Sequence, residues 1–264
     1  MGNDKVKTLE FISFEQYLVR NDVIIDENKE REFKKLSDYS MDDVLEYLDL
    51  LKEFHDKSKG YDIYFINKLE NNIGKIFETY SIYVKRLSRN IRNIKENSPK
   101  DEFEKYLLEN AEFLISNGSK CIKSIGREEY LNIIRRSMKN IEICIGSEGY
   151  YNLFKGEKIG LVNSKKCNYD LLEVDCIKFI NRLKKGQKGI DFKDIIEHFC
   201  TIESLGKDSM NFIVNMTMFP YESMRYIDKY RKTFKKDDPK VYVKGLEKAI
   251  EKDVITISIL GGTV

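Results

Sequence analysis

The scarcity of helix-breaking residues is the feature that most limits what this chain can fold into. Its 264 residues include three prolines and fifteen glycines, and no glycine occurs between Gly2 and Gly60. Because proline and glycine are the residues that most often end a helix or form a turn, long helices are expected over most of the sequence. We therefore predict a mainly α protein, α+β overall once a short stretch of strands is included.

Apolar residues recur at helical spacing through most of the chain. Ser40 and Asp43 form a capping box, which predicts a helix that begins after Ser40. A long amphipathic helix is predicted over 69–94, and the next one restarts at Ser98-Pro99, with a bend or interruption at Asn117-Gly118. Further helices are predicted over 9–19, 130–138, 171–183, 192–199, 207–218, 221–233 and 243–251.

One segment, EICIGSEGYYNLFKGEKIGLVNS over 142–164, breaks the helical pattern. It predicts a strand near 142–145, a loop, and a second strand near 157–162, so we expect a small β-hairpin set among the helices. A third short strand is predicted over 23–25.

The charges of the chain nearly balance. There are 46 Lys and Arg against 44 Asp and Glu, for a net charge of +2, which gives no reason to expect binding to nucleic acid or a membrane surface. Five cysteines without a C-x-x-C spacing predict free thiols in a reducing compartment, and no apolar run approaches the ~20 residues of a membrane helix. Solvated faces are expected for the basic pairs Lys34-Lys35, Lys184-Lys185 and Lys235-Lys236.

The loop within 142–164 has the spacing of a phosphotransferase site without its acids. Transfer from ATP uses an Asp that accepts the hydroxyl proton, an Asn that holds a metal, and a second metal-binding Asp after the next strand. In an H-G-D-x-x-x-x-N frame, Ile145, Gly146 and Ser147 take the first three places. Asn152 takes the Asn place, and Asn163 stands where the second Asp would be. Ser cannot take a proton at neutral pH as a carboxylate could, and an amide holds Mg²⁺ much more weakly, so no catalytic or metal residue is predicted here.

The chain resembles the CotS-type spore-coat proteins of the aminoglycoside-phosphotransferase-like (choline-kinase-like) group over roughly residues 40–250. The stretches that carry the resemblance are LLKEFHDKSKGY (50–61), ICIGSEGYYNLF (143–154), KIGLVNSKKCNYDLLEVDCIKFINRL (158–183) and MFPYESMRYIDKYRK (218–232).

The resemblance implies the helical lobe of a protein-kinase-like fold over 40–264, with 1–39 as the remnant of a reduced amino-terminal lobe. Matched residue by residue, Gly146, Asn152 and Asp175 are retained, while the family's His and two Asp residues are replaced. Asp175 is expected to brace the loop, a structural role, and Asn152 is expected to be vestigial. No lysine can be assigned the family's ATP-binding role among Lys29, Lys34 and Lys35.

A non-catalytic pseudokinase that serves as a structural or scaffolding protein is the function these observations favour. By resemblance its setting would be the spore coat, after synthesis in the cytoplasm. Other spore-coat or assembly proteins would then be its partners, and no cofactor or metal is expected.

Two other hypotheses remain open. An atypical small-molecule phosphotransferase or ATP-binding protein would use Mg²⁺ and ATP, and would need other acids that converge on Asn152. Glu148 and Asp170 are the nearest candidates, and Glu157 is less favoured. An unrelated helical interaction module would instead pack its helices without the hairpin among them.

Several polar and aromatic residues have structural interpretations. His55 lies near a helix end, where a carbonyl or the helix dipole would satisfy it, and His198 shares no helix face with Cys200. Tyr150-Tyr151 is a half-buried loop pair in this interpretation rather than a binding surface. Core positions are expected for Phe212, Met216, Met218, Phe219 and Tyr221.

Overall fold

The computed structural model describes residues 12–29, 38–62, 69–146, 152–184, 190–232 and 238–262. Within these ranges the chain is mainly helical, as predicted. The helices are α1 (Phe14–Arg20), α2 (Met41–Ser58), α3 (Lys75–Asn97), α4 (Glu102–Lys123), α5 (Arg127–Asn140), α6 (Leu172–Leu183), α7 (Phe192–Ile202), α8 (Lys207–Met218), α9 (Tyr221–Lys232) and α10 (Pro239–Ile259). The two-residue strands are β1 (Ile24–Ile25), β2 (Glu70–Asn71), β3 (Ile143–Cys144), β4 (Leu153–Phe154), β5 (Gly160–Leu161) and β6 (Asn168–Tyr169).

The start of α2 confirms the capping box. Ser40 Oγ accepts a hydrogen bond from Asp43 N at 3.2 Å, and Ser40 N donates to Asp43 Oδ2 at 2.7 Å. Both donors would otherwise lack a partner at the first turn of the helix. The short-range pattern of the sequence was therefore sufficient to place this helix.

The predicted starts of α3 and α4 were wrong by several residues. Strand β2 occupies the beginning of the predicted helix, so α3 starts only after it. The structure does not start α4 at Ser98-Pro99, because Asp101 is its cap and accepts from Glu104 N at 2.9 Å. A side-chain oxygen at the cap position outweighed the proline signal.

The strands form two small three-stranded sheets within the described part of the chain. In one, β5 lies between β1, which is parallel to it, and β4, which is antiparallel; Ile24 is opposite Gly160. In the other, β6 lies between parallel β2 and antiparallel β3, with Cys144 opposite Asn168. Each sheet thus joins a strand from the first part of the chain to strands from the 142–169 region.

The prediction of one hairpin from 142–145 and 157–162 was wrong in its pairing. The first segment supplies β3, which pairs with β6, while the second supplies β5, which pairs with β4. Only five residues join β4 to β5, so this closure costs less chain entropy than pairing β3 with β5. Two-residue strands such as β4 and β6 are too short to leave a periodic pattern in the sequence.

The expected interruption at Asn117-Gly118 is absent, because α4 runs through both residues. A Cβ on Gly118 would lie 2.9 Å from Val84 Cγ2 and 3.3 Å from Phe219 Cε2. The glycine therefore allows α4 to approach α3 and the α8–α9 turn closely, and its cost in helix propensity of about 1 kcal/mol is offset by that packing.

The predicted aromatic core is confirmed in part. Phe212, Met216 and Phe219 are fully buried, whereas Met218 and Tyr221 are partly buried at its edge. Among the described cysteines, Cys121, Cys144, Cys167, Cys176 and Cys200 are all buried and free. None of the helices in the described ranges is both long and apolar enough to cross a membrane.

The prediction of a solvated Lys184 was wrong. Its side chain is buried, and Nζ donates a hydrogen bond to the carbonyl oxygen of Thr217 at 2.6 Å. Burial lowers the pKa of Lys184 to about 8, an effect that the nearby carboxylates of Asp253 and Glu222 oppose. The sequence alone does not show whether a lysine is buried. Here the packing of α6 against α8 buries Lys184.

The described part of the amino-terminal segment is attached to the helices that follow it. Phe14 in α1 packs its ring 5.1 Å from that of Tyr61, and Tyr17 Oη donates to the carbonyl of Lys59 at 2.6 Å. Strand β1 then adds to the edge of β5. These contacts place α1 beside the segment that contains Ser164 and Cys167, with which it lines a cavity of about 610 Å³.

Candidate functional site

The end of the loop is held by a hydrogen-bonded clamp between two asparagines. Asn152 is fully buried, and its Nδ2 donates to the carbonyl oxygen of Asn163 at 2.7 Å. Its Oδ1 accepts from Asn163 N at 2.9 Å. Both ends of the amide are thus bonded to the backbone that follows β5. We call this pair the Asn152–Asn163 clamp.

The Asn163 side chain is also engaged locally. Its Oδ1 accepts from Lys165 N at 3.2 Å, which turns the chain away from β5. This is the short-range hydrogen bonding that Asn and Asp side chains favour in turns. The structure therefore brings Asn152 and Asn163 together, and gives both side chains backbone partners.

The start of the same loop is held by Asp175 in α6. Oδ2 of Asp175 accepts from Ile145 N at 2.7 Å, and Oδ1 accepts from Gly146 N at 3.4 Å. Ile145 is itself buried in the apolar core. The position where an H-G-D loop carries its His thus contributes packing here, and Asp175 satisfies two backbone donors.

Gly146 is required by the geometry of this turn. Its φ is +82°, in the region that side chains rarely adopt, and a Cβ would lie 2.0 Å from the carbonyl oxygen of Lys166. The two loops therefore touch through their backbones, and only glycine leaves room for that contact.

Asp175 also belongs to a buried triad with His55 and Glu203. Nδ1 of His55 lies 2.6 Å from Glu203 Oε1, and Nε2 lies 3.3 Å from Asp175 Oδ2. Burial alone would lower the pKa of His55, but the carboxylates of Glu203 and Asp175 raise it to about 9. The imidazole is therefore a cation at neutral pH. The sequence predicted a carbonyl or the helix dipole as its partner, and that was wrong because Glu203 lies 148 residues away in the chain.

The same cluster contains three atoms within the range of a metal site. One donor atom each of His55, Cys144 and Asp175 lies within 4.8 Å of the others. All three groups have other partners, since Cys144 Sγ donates to the carbonyl of Leu171 at 3.1 Å and burial raises the pKa of that thiol well above its usual range. A metal would need a thiolate and a neutral imidazole, so this donor set does not fit a metal.

A second ion cluster is centred on Arg136 in α5, which is 26% exposed between two buried carboxylates. Arg136 donates to both carboxylate oxygens of Glu142 and of Glu173, at 2.8 to 3.1 Å, and to Ser209 Oγ at 2.8 Å. The two carboxylates raise the pKa of the guanidinium further above its ordinary value, against the effect of burial. This bidentate arrangement fixes α5, α6 and α8 relative to one another.

Comparison with known proteins supplies a fold. No family model matches the sequence, and no curated protein matches it. A crystal structure of an aminoglycoside phosphotransferase from Alicyclobacillus acidocaldarius subsp. acidocaldarius DSM 446 is similar, with a TM-score of 0.65 and 13% sequence identity. The match covers 86% of this chain and 67% of that chain.

The chain has an aminoglycoside-phosphotransferase-like kinase fold. At 13% identity the similarity extends to the fold alone, since one fold supports many functions. The hypothesis of an unrelated helical module is therefore wrong as a description of the architecture. In this kinase-like fold the Asn152–Asn163 clamp and the triad both lie beside the short strands.

The acids proposed for an atypical site lie in two different places. Asp170 is buried and accepts from Leu171 N at 2.9 Å, with Lys178 Nζ 4.0 Å from its other oxygen. Glu157 is exposed in the turn between β4 and β5. None of their contacts in the described ranges involves Asn152. Outside the described residues lie Ser147, Glu148, Tyr150-Tyr151, Lys34 and Lys35.

A cavity of about 500 Å³ lies between the amino-terminal end of α3, the helix α6 and the start of α9. We call it the α3/α6/α9 cavity. Sequence reasoning missed it, since its walls come from three helices far apart in the chain. Its polar and charged lining includes Lys75, Asp170, Lys178, Asn181, Arg182 and Arg225.

Lys29, one of the three lysines considered for ATP binding, has an aromatic partner. Its Nζ lies 5.4 Å from the centre of the Phe154 ring in β4. A cation over a ring face is attracted to it with ~0.5–1 kcal/mol at an exposed site. This contact joins the segment after β1 to β4.

Proposed function

We propose that this chain is a non-catalytic protein with a kinase-like fold, a pseudokinase that serves as a structural or scaffolding protein. The observation that carries the proposal is the Asn152–Asn163 clamp. Its four hydrogen-bonding groups, two from the Asn152 amide and two from the Asn163 backbone, are paired with one another. An amide used in this way stabilises the loop and contributes little to a metal site.

The chemistry of the neighbouring positions agrees with this proposal. The side chain at 163 is a neutral amide that accepts from Lys165 N, and Ile145 is buried in the core. The nearby acid Asp175 does not supply the missing carboxylate, because it pairs with His55 and accepts hydrogen bonds from two backbone N–H groups. Both described ends of the loop are therefore packed and hydrogen-bonded within the protein.

The spore coat is the setting we propose for this scaffold. The support is the resemblance of four sequence stretches, among them 143–154 and 158–183, to the CotS-type proteins. Partners would then be other coat or assembly proteins. A protein embedded in such a layer needs a stable fold and a surface for contacts, and it does not need catalytic activity.

The second candidate is an atypical phosphotransferase, which one observation favours. Burial raises the pKa of Asp170 to about 7, against the opposing effect of Lys178, and a general base works best in that range. Asp170 lines the α3/α6/α9 cavity together with four cationic side chains. Aminoglycosides carry protonated amino groups near pH 7, which such a lining would repel, so the substrate of such an enzyme would differ from that of the A. acidocaldarius protein.

Calorimetry of Mg·ATP binding tests the proposal. We expect no magnesium-dependent heat from the wild type. A Ser147→Asp plus Asn163→Asp double variant is measured beside it; the new carboxylate at 163 keeps the acceptor that Lys165 N uses. Magnesium-dependent binding by the wild type would overturn the pseudokinase proposal. Binding by the double variant alone would support it, because these two substitutions would then be what silenced the site.

An Arg225→Gln variant is the control for nucleotide that binds elsewhere. Arg225 lines the α3/α6/α9 cavity. Any ATP binding that this variant loses arises from the cavity and not from the loop. Magnesium dependence further separates the two sites, because only the loop site is built around a metal in catalytically active kinases.

A further inference from the structure

The α3/α6/α9 cavity is strongly biased in charge, although the chain as a whole is nearly neutral. Four cations line it, and Asp170 is the single carboxylate among its lining residues. The lining cations are Lys75, Lys178, Arg182 and Arg225. With a net charge of +2 on 264 residues, a cluster of this kind needs a local explanation. Clefts lined by one sign of charge concentrate ligands of the opposite sign.

The ion pairs of Lys75, Lys178 and Arg225 leave room for a ligand. Lys178 Nζ is 4.0 Å from Asp170, Arg225 is 3.5 Å from Glu222, and both cationic side chains remain more than a third exposed. Lys75 is 59% exposed, donates to Asn72 Oδ1, and is 3.8 Å from Glu70, which is itself 80% exposed. At 3.5 to 4.0 Å these pairs are longer than charge-assisted hydrogen bonds, so the three cations keep N–H donors that an anion in the cavity could accept from.

The amino-terminal end of α3 adds a second, independent positive field. Its N-cap is Gly74, which provides no side-chain hydrogen bond to the first turn. Lys75 and Ile76 from that turn line the cavity. Lys75 N donates to the carbonyl oxygen of Asn72 at 2.9 Å. The first turn of this 23-residue helix has no side-chain cap and presents the positive end of its dipole, the arrangement that binds phosphate groups.

A buried polar atom points to a ligand as well. Asn181 in α6 lines the cavity and is 6% exposed; its Nδ2 donates to Tyr80 Oη at 3.2 Å, and its Oδ1 has no partner among the described residues. An unpaired buried acceptor costs about 1–3 kcal/mol in general. A ligand hydroxyl that reached this amide would recover that free energy.

We propose that the α3/α6/α9 cavity binds a small phosphorylated molecule. The cations and the α3 terminus would hold its phosphate groups, and Asn181 would accept from a hydroxyl. The recess of about 500 Å³ has the size of a small-molecule site, whereas a nucleic acid requires an extended basic surface. This inference goes beyond the scaffold function and does not depend on it.

The test is titration calorimetry with inorganic pyrophosphate at low salt, using the full chain. We expect saturable binding to the wild type, weakened by about tenfold or more in Arg225→Gln, because a charge-assisted contact is lost. Asp170→Asn should tighten binding severalfold, because it removes the one carboxylate and keeps an acceptor for Leu171 N. The matched control is Arg89→Gln, which removes an exposed arginine of α3 that does not line the cavity.

Each other outcome overturns the inference. No saturable heat from the wild type would do so directly. Equal weakening by Arg89→Gln and Arg225→Gln would show general charge attraction in place of a site. Tighter binding of citrate than of pyrophosphate would exclude a phosphate site. Because the probe contains no nucleotide and no magnesium is added, a failure here leaves the pseudokinase proposal unaffected, and the reverse also holds.

Discussion

The Asn152–Asn163 clamp and the α3/α6/α9 cavity use their polar groups in opposite ways. In the clamp and the adjoining triad, each polar side chain is paired with a backbone group or a charge from the protein itself. In the cavity, four cations and one carboxylate line the wall, and a helix end without a side-chain cap adds positive potential. A region whose hydrogen bonds are all internal holds the fold together. A region with surplus charge and open volume is suited to binding.

The clamp and triad should therefore determine stability, and the cavity should determine ligand binding. Substitutions in the clamp and triad should lower the free energy of unfolding. Substitutions in the cavity should change ligand affinity and leave stability nearly constant.

Gly146→Ala should have the largest effect. The added Cβ would meet the carbonyl oxygen of Lys166 at 2.0 Å in a backbone with φ of +82°, so we expect a loss of more than about 3 kcal/mol. Urea unfolding followed by circular dichroism measures it. Gly206→Ala is the control, because a Cβ there meets nothing within 4 Å; it should cost at most about 1 kcal/mol. Equal losses would refute the packing argument.

Asp175→Asn should come next. It removes a charge that faces the His55 cation and weakens the acceptor of Ile145 N, and breaking a buried pair leaves an uncompensated charge. We expect a loss of about 3 kcal/mol in urea unfolding. The matched control is Asp49→Asn, since Asp49 pairs with His198 at 3.0 Å on the surface. That exposed pair should contribute less than about 1 kcal/mol, and a larger effect than that of Asp175→Asn would contradict the prediction.

The triad should make stability depend on pH. His55 has a pKa of about 9 in the folded chain against ~6.5 when unfolded. The folded state therefore binds the proton more tightly, and the stabilisation is complete below pH ~6.5 and is lost as the pH rises to ~9. Its upper limit is about 3 kcal/mol.

Unfolding curves of wild type and His55→Gln between pH 6 and 9.5 check this. Lys184 acts in the opposite direction, because its lowered pKa of about 8 makes the folded state gain stability as the pH rises. The informative quantity is thus the difference in the free energy of unfolding between wild type and His55→Gln, which should shrink as the pH rises. A constant difference would mean that His55 is neutral in the fold.

Asn152→Ala should cost about 2 kcal/mol, because it leaves Asn163 N and the carbonyl oxygen of Asn163 without their partner. Asn97→Ala is the control: its Nδ2 donates to the carbonyl of Asn93 at an exposed helix end, and less than about 0.5 kcal/mol is expected. Thermal unfolding of the two variants measures which one loses more stability. A negligible effect of Asn152→Ala would mean that solvent replaces the clamp.

Arg225→Gln should have the smallest effect on stability. Its side chain is 51% exposed and 3.5 Å from Glu222, which is 9% exposed, so the loss should be at most about 1 kcal/mol. The same variant is the one expected to lose affinity for pyrophosphate. A strongly destabilised Arg225→Gln would remove the contrast between the two regions, since the cavity would then be part of the structural framework.

Local patterns explain which elements could be predicted. The capping box of Ser40 and Asp43 placed α2, and helical spacing placed α6, α8 and α9 within about one residue of their observed ends. The sequence also suggested that Asp175 acts on the loop, and its carboxylate accepts from Ile145 N and Gly146 N. These inferences depend on neighbours in one helix or on one short motif.

The misassigned residues have partners from distant parts of the chain. His55 is paired by Glu203, Lys184 is buried by the packing of α8, and β3 pairs with β6 instead of β5. The cavity draws on residues between 72 and 225. Spacing along a chain carries no direct information on which of many similar acids or strands will meet.

The sequence by itself determined that the chain is mainly helical and that its loop lacks the acids of a phosphotransferase frame, because composition and residue identity are local properties. The tertiary structure decided what the remaining groups do. It paired Asn152 with the backbone of Asn163, enclosed His55 between two carboxylates, and assembled a positive cavity from three helices. The physical reason is that hydrogen bonds and charges act over a few ångströms of space, whatever number of residues separates the partners.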